Sequence, residues 1–165
     1  MRRLMLLTIL AVGLSPAQTK NPWEPLECLL GTWNANSDNT SGSSGATTFK
    51  FDLEKQVIVR TNFAQYTKGQ QAGTRHDDLM IIYFDPPGKP PRAIYFDSEG
   101  HTIHYNITFP ERNSVVFESQ PSQPGPRYRL SNSVTGKKLE GKFEIAEPGK
   151  SDYKTYLTWT STKTE

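Results

Sequence analysis

The sequence predicts an all-β fold, a barrel of about ten antiparallel strands in up-and-down order with one short N-terminal helix. Three observations carry this. Short runs with period-two alternation recur at a spacing of roughly 8–12 residues, as they do in barrels and sandwiches. The connections between them are short, which favours consecutive hairpins over Greek-key crossings. A long antiparallel meander also leaves two exposed edges, and closure into a barrel removes both.

The elements follow in order. Pro22 to Leu30 (PWEPLECLL) is apolar at positions 23, 26, 29 and 30, a spacing that predicts a two-turn helix with Pro25 near its start. Gly31 stands where a helix ends, and Thr32 to Asn36 opens the first strand. Residues 37–45 (SDNTSGSSG) form a polar loop. Phe49, Phe51 and Leu53 then alternate with Lys50 and Asp52. Val57, Val59, Thr61 and Phe63 alternate with Ile58, Arg60, Asn62 and Ala64, so both faces of that strand are partly apolar.

After a turn at Lys68–Gly73 comes the clearest meander, Leu79 to Phe109. Its first two runs each end in Tyr-Phe-Asp and are separated by PPGKPP; Ser98-Glu99-Gly100 leads into the third. Val115–Ser119, a break at 121–126 (PSQPGP), and Arg127–Ser133 follow. Thr135-Gly136-Lys137 is a tight turn. Leu139, Gly141, Phe143 and Ile145 then alternate strictly with Lys138, Glu140, Lys142 and Glu144, a half-buried strand. Tyr153–Ser161 is the last strand.

The N-terminus points to a compartment. Arg2 and Arg3 precede an apolar run from Leu4 to Leu14, and Ser15-Pro16-Ala17 places small residues where signal peptidase cuts. That run is too short to span a bilayer, which takes about 20 residues. Residues 1–17 are thus expected to be a signal peptide and 18–165 a single exported domain, periplasmic or secreted, with no stable membrane anchor. Glu27 just before Cys28 does not suit lipidation of that cysteine. Removing 1–17 leaves 148 residues and lowers Lys+Arg from 19 to 17, against 17 Asp+Glu. A near-neutral chain without runs of like charge argues against nucleic acid and against a polybasic membrane surface. Cys28 is the single cysteine, so an internal disulfide is excluded; among Leu26, Leu29 and Leu30 it is expected to be a buried small hydrophobe.

Leu29-Leu30-Gly31-Thr32-Trp33 now becomes informative. A short helix running into Leu-x-Gly-x-Trp at the first strand of a meander resembles the calycin superfamily, the lipocalins and their relatives. With about ten strands it is most similar to nitrobindin-like barrels and related bacterial exported families of unknown function, which the segments His76–Asp85 and Tyr95–Tyr105 also resemble. The resemblance implies a ligand cavity and makes Trp33 a structural plug across the closed end. It also brings in haem, held in nitrobindin-like proteins by a histidine near the C-terminal end of the barrel. Here Tyr153 to Thr160 carries no histidine, and Asn34, Ala35 and Asn36 replace the usual glycines, so haem lacks its customary ligand.

The candidates for chemistry are few. His101 and His104 lie three apart in a strand and face opposite ways. Parity groups His101 with Ile103, Tyr105, Ile107 and Phe109, the apolar face, near Asp97 and Glu99. It is a candidate haem ligand, metal ligand or acid/base, or a histidine hydrogen-bonded at the rim of a turn. His76-Asp77-Asp78 is either a metal-like trio, with Asp97 and Glu99 across the meander, or a solvated strand end. Arg60 is either solvated or an interior charge that needs an anion, Asp97 or a ligand's acid group. Tyr83, Tyr95, Tyr105, Tyr128 and Trp159 are either cavity lining or core. Gly-x-Ser-x-Gly, His-Glu-x-x-His, Cys-x-x-Cys and phosphate-binding glycine loops do not occur.

The expected function is binding of a small apolar or amphipathic ligand inside the barrel by Arg60, Tyr95, Asp97, His101 and Tyr105. No catalytic or metal residue is assigned. One alternative is a protein-interaction or inhibitor module of the cell envelope, with a filled barrel. A further one is an isomerase or hydrolase using Asp97 and His101 at the mouth.

Overall fold

The computed structural model describes residues 21–36, 43–67, 72–85, 88–120 and 125–164. The expected signal peptide, residues 37–42 of the polar loop and 121–124 of PSQPGP lie outside the described residues.

The protein is a closed barrel of ten antiparallel strands: β1 (Gly31–Ala35), β2 (Ser43–Asp52), β3 (Val57–Tyr66), β4 (Arg75–Tyr83), β5 (Arg92–Asp97), β6 (Thr102–Thr108), β7 (Ser114–Ser119), β8 (Arg127–Thr135), β9 (Lys138–Ala146) and β10 (Lys154–Lys163). Each strand pairs with its sequence neighbours, and β1 also pairs with β10 through Trp33↔Lys163, Asn34↔Thr162 and Ala35↔Ser161. That last ladder satisfies the backbone groups that an open meander would leave at its edges.

The hairpin order places the β2–β3, β4–β5, β6–β7 and β8–β9 connections at one end and the others at the opposite end. Tight turns are built by backbone freedom. Gly136 turns β8 into β9 at a φ of 59°. The β2–β3 turn instead puts Leu53, Glu54 and Lys55 in the left-handed region, with φ of 47°, 54° and 66°. L-residues resist that region, and nothing in their sequence announces it.

The N-terminal segment closes the first of these ends. It is a 3₁₀ helix, Glu24–Leu29, rather than the two-turn helix expected. The physical reason lies in the spacing: Trp23, Leu26 and Leu29 recur every three residues, the 3₁₀ period, and so line up on one side. Leu26 and Leu29 are fully buried, and Trp23 packs edge-on against Phe84 at 4.6 Å and Phe51 at 5.6 Å. Gly31 leaves the helix with a φ of 115° and starts β1. Cys28 is half-buried against this cluster rather than fully buried, and burial pushes its thiol pKa up.

The twin Tyr-Phe-Asp runs do unrelated jobs. Phe84 of the first packs at the closed end, and Tyr83 lies on the outer parity of β4, away from the cavity. Tyr95 and Asp97 of the second face inward, while Phe96 points out. On the outer face of β9, Glu144 is buried rather than solvated. Arg129 Nε donates to it at 2.7 Å, and Lys142 Nζ lies 3.0 Å away. These cations, the Arg129 hydrogen bond above all, outweigh burial and hold the carboxyl below its usual range. The stabilisation is therefore fully present above the unfolded carboxylate's 4.5 and is lost as pH falls through the lower folded value. Urea midpoints of wild type and Glu144→Gln should differ at pH 7 and converge in acid; a difference constant with pH would contradict this.

Candidate functional site

The barrel interior holds a cavity of about 460 Å³ that opens at the end opposite the helix. Trp33 forms its floor. Its indole is buried, Nε1–H donates to Leu29 O at 2.7 Å, and Lys163 Nζ lies 5.3 Å from its ring centre. The two walls differ in chemistry. Strands β8 to β10 supply Leu130, Phe143, Ile145, Leu157 and Trp159. The Trp159 indole lies over Gly141, its register partner, where any Cβ would overlap the ring. Strands β3 to β6 and the β5–β6 turn supply the polar wall, which includes all five expected ligand-binding residues, Arg60, Tyr95, Asp97, His101 and Tyr105.

Arg60 is an interior charge, and its partner is Asp78 rather than Asp97. Nη1 donates to Asp78 Oδ1, and Asn62 Nδ2 donates to Asp78 Oδ2 at 2.7 Å. The side chains of Arg60 and Asp78 are 8 % and 3 % exposed. Register explains the choice: Asn62 sits directly opposite Asp78 on adjacent strands, and Arg60 is the next inward residue of β3. Asp97 is one strand further away and is committed to its own turn. Its Oδ1 accepts from the backbone N–H of Glu99 at 3.1 Å and of His101 at 2.8 Å, and Oδ2 lies 2.8 Å from His101 Nδ1. Burial pushes Asp97 up, but these bonds with His101 outweigh it and hold the carboxyl below the usual range.

His76 is the residue that sequence reasoning undervalued. His76-Asp77-Asp78, either a metal-like trio or a solvated strand end by sequence, splits by parity. Asp77 points out and pairs with Arg75, whereas His76 and Asp78 turn inward. His76 Nδ1 lies 2.8 Å from Glu99 Oε2, and Nε2 lies 3.3 Å from Asp78 Oδ2 and 3.2 Å from the Tyr95 hydroxyl. The bond to Asp78, with further help from Glu99, prevails over burial and raises its pKa to about 9. The available signal was alternation: His76 and Asp78 share parity with Met80 and Ile82, both fully buried.

His101 keeps the parity expected of it and lines the cavity, yet its side chain is 60 % exposed, so it stands at the rim. His104 is exposed on the outer face. Tyr105 is buried in a line of edge-on rings between Tyr95 and Phe117. Burial raises the phenol pKa of both Tyr95 and Tyr105, so each stays a protonated donor. Tyr128 and Trp159 line the cavity and Tyr83 does not.

This donor set does not suit haem. Among the described residues the inward cations Arg60 and His76 are already engaged by carboxylates, and haem propionates would meet Asp97 and Glu99 at the mouth.

Fold and site together define a closed up-and-down β-barrel whose internal cavity has one apolar and one hydrogen-bonding wall. No protein-family model matches the chain, and no curated protein matches it either.

Proposed function

We propose that this protein is an exported, lipocalin-like barrel that binds a small amphipathic molecule in its interior. The observation that carries the reading is the two-walled cavity of about 460 Å³, within the span of roughly 300–1,000 Å³ usual for ligand sites. The closed barrel, the short helix, Trp33 at the closed end and the leader-like first 17 residues support the rest. The polar wall narrows the ligand. A carboxylate-headed molecule would face Asp78, Asp97 and Glu99, and among the described residues the inward cations Arg60 and His76 are already paired with carboxylates. A neutral or cationic head rich in donors is the better match, with the apolar part against Leu157 and Trp159.

The cavity weighs against the interaction reading in the form that asked for a filled barrel. The enzyme reading is second. Its support is the 2.8 Å Asp97–His101 contact, within the reach acid–base chemistry needs, with His101 facing the mouth.

Titration with the neutral dye Nile red tests the first reading. One dye per barrel should bind with quenching of tryptophan fluorescence, and Leu157→Arg should weaken it at least about tenfold by placing a charge on the apolar wall. Leu53→Arg, on the exposed β2–β3 turn, should leave it unchanged. A dye that binds neither protein, or binds the folded Leu157→Arg variant as well as wild type, would contradict it.

A further inference from the structure

We propose that His76, Asp97 and Glu99 form a site for one divalent transition-metal ion of the Zn²⁺ class at the barrel mouth. This goes beyond the small-molecule reading and does not need it.

The three side chains converge from two parts of the chain, His76 from β4 and Asp97 and Glu99 from the end of β5 and the β5–β6 turn. Each brings one ligand atom to a place where the three lie within 4.8 Å of one another. A tetrahedral Zn²⁺ at about 2.0–2.2 Å from N and O ligands needs them about 3.4 Å apart, so the widest separation shortens when the ion binds. Glu99 has room to move, since its side chain is 48 % exposed on a turn, and its Oε2 already lies 2.8 Å from His76 Nδ1. The turn itself is fixed against β4, with Ser98 N–H donating to Asp77 O at 2.9 Å and Asp77 N–H to Ser98 Oγ at 3.2 Å. Asp97 is aligned by the two backbone donors of that turn and by His101.

The surroundings are those of a supported metal ligand. Metal-bound histidines donate their second ring N–H to a carboxylate, which fixes the ring. Here Nδ1 of His76 faces Glu99, and Nε2 on the other side faces Asp78, itself held by Arg60 and Asn62. One imidazole with two carboxylates favours Zn²⁺, Co²⁺ or Ni²⁺ over Ca²⁺, which takes oxygen ligands throughout. Three protein ligands leave a fourth position for water or a ligand, and this trio lines the cavity.

The competing account is a metal-free ion-pair network of the same groups. Calorimetric titration of tag-free, chelator-treated protein with ZnCl₂, and visible spectroscopy with CoCl₂, separate the two. The expected result is one ion per barrel at micromolar affinity or tighter, with Co²⁺ d–d bands of a low-coordinate site. His76→Ala and Glu99→Gln should each weaken binding at least about tenfold. His104→Ala, on the outer face, should not change it. Glu99 is half exposed, so its variant keeps the test meaningful even where His76→Ala fails to fold; melting of the metal-free variants checks this. Absence of uptake, uptake unaffected by Glu99→Gln, or equal loss in His104→Ala would overturn the proposal. Metal uptake without Nile red binding would sustain this site while sinking the small-molecule reading, and the reverse result would do the opposite.

Discussion

Replacing Asp78 with Leu should destabilise the protein by about 3–5 kcal/mol, because it leaves a buried guanidinium without its counter-charge. Arg60 is 8 % exposed at its side chain and takes its carboxylate from β4, so little solvent reaches the guanidinium to replace the lost partner. Arg60→Met should cost less, because Asp78 keeps Asn62 and His76 as partners. The double variant should recover most of the loss, since a well-packed apolar pair often matches or exceeds a buried ion pair in stability. Urea unfolding of the three variants measures this. Single-variant costs below about 1 kcal/mol would mean that the pair behaves like a solvated surface bridge.

Trp33→Ala should cost about 3–5 kcal/mol, the range for deleting a large buried aromatic. The indole joins three parts of the architecture. It sits on the β1–β10 closure ladder opposite Lys163, hydrogen-bonds the end of the 3₁₀ helix, and floors the cavity. Trp33→Phe keeps most of the ring and loses the 2.7 Å bond to Leu29, so a cost of about 1–2 kcal/mol is expected. Thermal and urea unfolding check both. Equal costs for the two variants would show that the hydrogen bond, not the volume, carries the role.

The architecture was legible because alternation is a local property. The strict pattern at Leu139–Ile145 and the parity that put His101 inward and His104 outward needed only the two-residue period. Closure was inferred from the cost of free edges, and the β1–β10 ladder bears it out. What sequence alone missed depends on register. Arg60 and Asp78 are 18 residues apart, and only the β3–β4 pairing reveals that they share a wall. His76 looked like a strand end because the polar run Arg75–Asp78 hides the alternation that continues into Met80 and Ile82. Of the apolar wall, Tyr128 and Trp159 were candidates and the alternation of Phe143 and Ile145 was legible, but Leu157 was not singled out. It stands just past a register shift between Thr155 and Leu157, where a two-residue period does not carry through.

Native mass spectrometry of the purified protein, released gently and then under denaturing conditions, tests the central claim most directly. A ligand-binding barrel should carry, or take up from a cell extract, one organic molecule that Leu157→Arg does not retain. A single apo mass from every preparation and extract, alongside dye-free fluorescence titrations, would contradict the assignment of this cavity to a small amphipathic ligand.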